Sequence, residues 1–84
     1  MRFVLADRTV TFPYSELKRW EHVAGNPEIL LISAGQEMVR VEGQQLAEIR
    51  AALDNSHLRE LRECERRPAA RTGPVVNRIT IEPA

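Results

Sequence analysis

A small chain would build chemistry from its imidazole, thiol, carboxylate and hydroxyl groups, and here the spacing of those groups decides more than their number. His22 and His57 are far apart in sequence. Neither has a second His or a Cys at the helical spacing of a zinc site. Glu60 follows His57 by three residues, which suits a carboxylate–imidazole pair in principle, but the same spacing is ordinary on a solvated helix surface. Nucleophilic catalysis would need Ser15, Ser33, Ser56 or Cys64 beside a base, and none of them sits in a strand–turn–helix elbow. Cys64 is the single cysteine, which excludes an internal disulfide and a thiolate zinc site. It falls on the inward stripe of a predicted helix and reads as an inert buried thiol. The glycines are isolated, and none precedes a Lys-Ser or Lys-Thr as a phosphate loop requires. The expectation is a non-enzymatic protein with no catalytic residue, no metal site and no cofactor.

Side chains suited to binding are easier to find. Trp20 is the only tryptophan, and Arg19 adjoins it. Core packing is the first reading of Trp20, and an interface anchor the second, since Trp and Arg dominate binding hot spots. Ile29, Leu31, Met38 and Arg40 form a second candidate partner-binding set on one face of a predicted hairpin. A third set is Arg66, Arg67 and Arg71, the only local charge asymmetry, in a segment with no acid between Arg66 and Pro74. A mobile basic segment can touch phosphates, although nothing aromatic interleaves with it for stacking on single strands.

The elements that position these groups begin with Glu28 to Leu53. Ile29–Ile32 and Met38–Val41 are β-rich runs, and Gly35-Gln36 between them has glycine first, the mark of a type II′ turn. This turn sets Ile32 against Val39 and Leu30 against Val41 on one apolar face. The other face carries Ile29, Leu31 and Ser33 against Glu42, Arg40 and Met38. Gly43 ends the second strand. A helix over 44–53 follows, with Leu46, Ile49 and Leu53 in one stripe that packs on the apolar hairpin face.

An N-terminal hairpin over 2–12 turns around Asp7-Arg8, with Leu5 opposite Val10 and Phe3 opposite Phe12. Residues 14–24 are a helix or a bent strand. The helix reading has Ser15 as N-cap, Tyr14, Leu17, Trp20 and Ala24 in line, and Gly25 beyond the end. Phe12-Pro13-Tyr14-Ser15-Glu16-Leu17 with Trp20 three residues on resembles the strand pattern of bacterial pleckstrin-homology-like domains. The likeness runs from about Thr9 to Leu53. It implies a bent strand in a meander and at most a binding module, with no site residue carried over. The chain departs from that pattern in having too few strands before Phe12 and a strand-like run after its helices.

Asp54-Asn55-Ser56 reads as a cap cluster that interrupts the helices. A second helix over 56–65 has Leu58, Leu61 and Cys64 inward and Arg59–Glu63 and Glu63–Arg67 as surface pairs. Val75 to Glu82 is strand-like, with Val75, Asn77, Ile79 and Ile81 on one side. The predicted class is α+β: a small, mostly antiparallel sheet from hairpins 2–12 and 28–42 and a terminal strand 75–82, with helices 44–53 and 56–65 on one face.

The chain has 84 residues, enough for one small domain. Residues 1–66 form that domain, 67–74 a flexible linker and 75–84 a terminal strand or tail. A core this thin leans on a partner or on self-association. Formal net charge is zero, so overall charge points neither to nucleic acid nor to an anionic membrane. The longest apolar run is too short to cross a bilayer, and MRFVLADR has no signal-peptide core, so the expected residence is cytoplasmic. The leading expectation is a protein-interaction module, as a homodimer or with another protein. The alternative is a nucleic-acid-binding accessory protein acting through Arg66 to Arg71.

Overall fold

The computed structural model describes residues 1–63 and 73–84. Among the described residues there are two sheets and one α-helix. Strands β1 (Arg2–Val4), β2 (Thr9–Thr11) and β6 (Glu60–Arg62) form a three-stranded sheet in the order β2-β1-β6. Strands β3 (Leu17–Val23), β4 (Glu28–Ala34), β5 (Glu37–Gln44) and β7 (Val75–Pro83) form a four-stranded antiparallel sheet in chain order. Helix α1 (Ala47–Asp54) follows β5. The α+β class predicted from the sequence is the class observed.

The central hairpin has the register its turn dictates. Ile32 opposes Val39, Leu30 opposes Val41, and Ala34 and Glu37 close a two-residue turn. Gly35 at φ 60° supplies the positive angle that the first position of a type II′ turn needs. The apolar face of this hairpin is fully buried, and it shares one core with Leu46, Ile49 and Leu53 of the helix segment and with Phe3 and Leu61 of the smaller sheet. Helix and small sheet therefore lie on the same side of the larger sheet.

Several local expectations are corrected. Residues 17–23 are a strand, preceded by a 3-10 turn over Tyr14–Glu16, so the helix reading of 14–24 fails. Pairing with β4 decides this: Trp20 sits opposite Ile32 and His22 opposite Leu30 on the core side. The N-terminal hairpin turns at Ala6-Asp7, with Leu5 N–H donating to Arg8 at 2.8 Å and Phe3 opposite Val10. The shift from the predicted register is two residues, so every side chain keeps its face, and Phe3 and Phe12 still meet edge to face with centroids 6.0 Å apart.

Helix α1 begins at Ala47, because β5 extends through Gln44 and Gln45 turns the chain at φ 57°. The helix predicted over 56–65 is absent from the described part of that range: Glu60–Arg62 is β6, parallel to β1, with Leu61 opposite Phe3. The capping cluster belongs to the end of α1 instead. Ser56 takes φ 56°, its N–H donates to the Leu53 carbonyl at 3.0 Å, and the His57 N–H donates to the Ala52 carbonyl at 2.8 Å. That paired pattern is a Schellman ending, which stops a helix rather than starting one.

Strand β7 joins its own sheet beside β5. Its register shifts between Glu42 and Gly43, so Val76 turns inward where strict alternation had placed Asn77.

Candidate interaction face

Strand pairing sorts the residues of the larger sheet into two faces. The core face carries Leu17, Trp20, Leu30, Ile32, Val39, Val41, Val76 and Ile79. The opposite face is laid out in three cross-strand rows. The first is Arg19, Ser33, Met38 and Glu82, the second Glu21, Leu31, Arg40 and Thr80, and the third Val23, Ile29, Glu42 and Arg78. None of these side chains is buried. Ile29, Leu31 and Met38 are half-buried by their neighbours, and Val23 is 40% exposed. Among the described residues, no strand or helix packs on this face.

The electrostatics of the face are local. Arg19 meets Glu21 at 2.8 Å along β3, and Arg40 approaches Glu42 at 4.0 Å along β5. Each pair spans i to i+2, the spacing that puts two side chains on one side of a strand. The result is an apolar diagonal, Ile29 to Leu31 to Met38, bordered by cations and anions that balance. Arg19, Glu21, Leu31, Ser33 and Met38 enclose a depression of about 50 Å³. That is far below the several hundred Å³ of a small-molecule pocket, so the face offers a surface rather than a cleft.

Four of the sequence-predicted residues, Ile29, Leu31, Met38 and Arg40, come together here as the hairpin pattern implied, and Arg19 joins them from β3. Trp20 does not. It lies on the core side, half-buried, and its indole N–H donates to Asp54 Oδ1 at 2.8 Å. Arg50 Nη1 donates to the other oxygen of Asp54 at 2.7 Å, so this carboxylate ties β3 to the end of α1. The residues that sequence reasoning left out of the face are Glu21, Val23, Arg78, Thr80 and Glu82. Glu21 and Val23 needed residues 17–23 to be read as a strand. The other three needed β7 to be placed next to β5. Arg66, Arg67, Arg71 and Cys64, and most of the predicted linker, lie outside the described residues.

No family model, curated protein or solved structure matches the chain.

Of the two histidines, His22 has a side-chain partner. His22 Nε2 lies 2.7 Å from Glu28 Oε1 across the β3–β4 turn. Glu28 also accepts the backbone N–H of Gln45 at 2.8 Å and of Leu46 at 3.2 Å, in the turn that leads into α1. Its carboxyl is held below the ordinary carboxylate range, first by the hydrogen bond with His22 and next by that from Gln45. No sequence rule joins residues 22 and 28; only the strand–turn–strand geometry does. His57 is exposed, and Glu60 is paired with Arg62 at 3.1 Å. Among the described residues, no three metal-ligating side chains come together, and no helix is long and apolar enough to cross a membrane.

Proposed function

We propose that this chain is a non-enzymatic, cytoplasmic protein-interaction module that presents the open face of its four-stranded sheet to a protein. The observation that carries this reading is the contrast between the two sheet faces. One is covered by α1 and the small sheet. The other leaves the Ile29–Leu31–Met38 diagonal half-buried and outside the core that α1 and the small sheet share. A contiguous apolar strip with a polar rim is the composition of a recognition surface. The non-enzymatic part of the reading rests on where the reactive groups are spent. Glu28 and His22 hold the start of α1, and Asp54 holds Trp20 and Arg50.

The test is a comparison of the wild-type chain with Leu31→Asp as baits in extracts of the native cell. The reading expects a protein retained by the wild type and released by Leu31→Asp, with both chains giving the same far-ultraviolet spectrum. Retention of the same protein by both baits would remove the open face as the interface.

A further inference from the structure

We propose that the protein this face receives is a second copy of the same chain, laid face to face with its strands running alongside those of the first and with Arg19 of each copy against Glu82 of the other. This rests on the interaction-module reading and adds the partner and its orientation.

The argument is one of charge complementarity. The face carries Arg19, Arg40 and Arg78 against Glu21, Glu42 and Glu82, so it has no net charge with which to attract a strongly acidic or basic partner. Two copies of a balanced face can match only if symmetry brings unlike charges together. A twofold contact is self-complementary, so each candidate axis can be checked residue by residue.

An axis lying across the strands through the middle row sets each residue of that row on its own copy. Glu21 then meets Glu21 and Arg40 meets Arg40. An axis parallel to the strands, between β4 and β5, exchanges β3 with β7 and β4 with β5 within each row. Arg19 then faces Glu82 twice, once on each side of the axis. Leu31 lies over the aliphatic stem of Arg40, and no like charges are opposed. This second arrangement also keeps the strands of the two sheets aligned, the usual geometry of stacked sheets.

The β7 edge is a poor alternative surface. The outward N–H of Ile79 is already taken by Glu63 Oε2 at 2.9 Å, and Pro83 has no N–H to offer.

Size sets the strength. Strands about 4.8 Å apart and an along-strand repeat of about 6.8 Å give the face roughly 400 Å² per copy. A standard stable interface takes about 800 Å² per partner. The dimer is therefore dependent on concentration rather than obligate.

The experiment is sedimentation equilibrium of the full chain from micromolar to millimolar concentration. Wild type is expected to pass from monomer toward dimer as concentration rises. Leu31→Asp is expected to remain monomeric. Arg19→Glu and Glu82→Arg should each weaken association by about tenfold, two exposed ion pairs being lost and replaced by repulsion. The combined Arg19→Glu/Glu82→Arg chain should regain it. Thermal melts of all four variants at monomer concentration check that they fold.

A wild-type chain that stays monomeric at millimolar concentration overturns the second copy as partner. The interaction-module reading would then still stand or fall on the extract comparison above. A dimer unaffected by Leu31→Asp overturns the face. Single charge variants that dimerise like wild type, or a double variant that fails to recover, overturn the orientation.

Discussion

A Cβ placed on Gly43 would lie 1.9 Å from the carbonyl oxygen of Val75 on the neighbouring strand. The obstacle is backbone, so no side-chain rotation relieves it. This close approach occurs where the β5–β7 register shifts, at the bulge that turns Val76 into the core. Gly43→Ala must therefore push β7 away from β5 along its N-terminal half. Overpacking of this kind costs about 1–3 kcal/mol, which in a chain of this size lowers the melting temperature by roughly 4–8 °C per kcal/mol. Urea unfolding checks it: the midpoint should fall. A midpoint equal to wild type would mean that β7 does not approach β5 as described.

The Glu28 carboxylate gives the fold a predictable acid limb. Its pKa is depressed in the folded state by His22 and by the backbone of Gln45. A depressed carboxylate contributes stability that is complete above its unfolded value and is lost as pH falls through the folded one. Wild type should therefore lose stability on acidification below the ordinary carboxylate range. Glu28→Gln should be less stable than wild type at neutral pH, and the gap between them should close in acid. Denaturant midpoints measured across that range read the gap directly; a gap independent of pH would show that the charge of Glu28 is not what holds the start of α1.

Much of this fold was legible because it is local. Gly35-Gln36 determines a turn, the turn determines a register, and the register separates Leu30 from Leu31. What was hidden depended on partners distant in sequence. Residues 14–24 have a helical spacing of Tyr14, Leu17 and Trp20, but β4 offers a free edge, and pairing with it overrides the period. Residues 57–63 look helical alone, yet β1 accepts Leu61 beside Phe3. Sequence pattern alone puts the N-terminal hairpin on the correct faces but two residues out of register, since Phe3 and Phe12 lie on the same side in either alignment. The face itself was half visible: Ile29, Leu31, Met38 and Arg40 follow from one hairpin, whereas Arg78 and Glu82 join it only through β7.

Ser56 sits at φ 56° as the left-handed residue that ends α1. A side chain other than glycine is strained there, and serine has no local reason to prefer it. Ser56→Gly should stabilise the protein by about 0.5–1 kcal/mol, less the entropy that glycine adds to the unfolded chain. Replacement by a β-branched residue such as valine should destabilise it. Thermal melts of the two variants should bracket wild type, and the opposite order would rule out the Schellman ending.

Trp20 is the sole tryptophan, so intrinsic fluorescence reports its contact with Asp54. The indole N–H donates to Oδ1 at 2.8 Å, and both partners are partly solvated. A hydrogen bond in such a setting contributes about 0.5–1.5 kcal/mol. Asp54→Asn should alter the emission of Trp20. A cycle of Trp20→Phe, Asp54→Asn and the double variant should show a coupling of that size. Additive effects with unchanged emission would place Trp20 away from the end of α1.

The sharpest contrast is between neighbours. Leu30 is fully buried against the core, and Leu31, the next residue, is half-buried on the open face. Leu30→Ala leaves a cavity and should cost about 2–5 kcal/mol, a large share of the stability of a small domain. Leu31→Ala removes a half-buried side chain from a face on which no described strand or helix packs, and surface substitutions of that kind stay within about 0.5 kcal/mol. Denaturant unfolding at low protein concentration, where self-association is negligible, should separate the two clearly. Repeating it at high concentration adds the functional half of the argument. Wild type gains apparent stability by mass action if the folded chain associates through this face, and Leu31→Ala should gain less. Equal costs for the two leucines at low concentration would mean that both faces of the sheet are covered, and the open face would cease to exist as a surface for any partner.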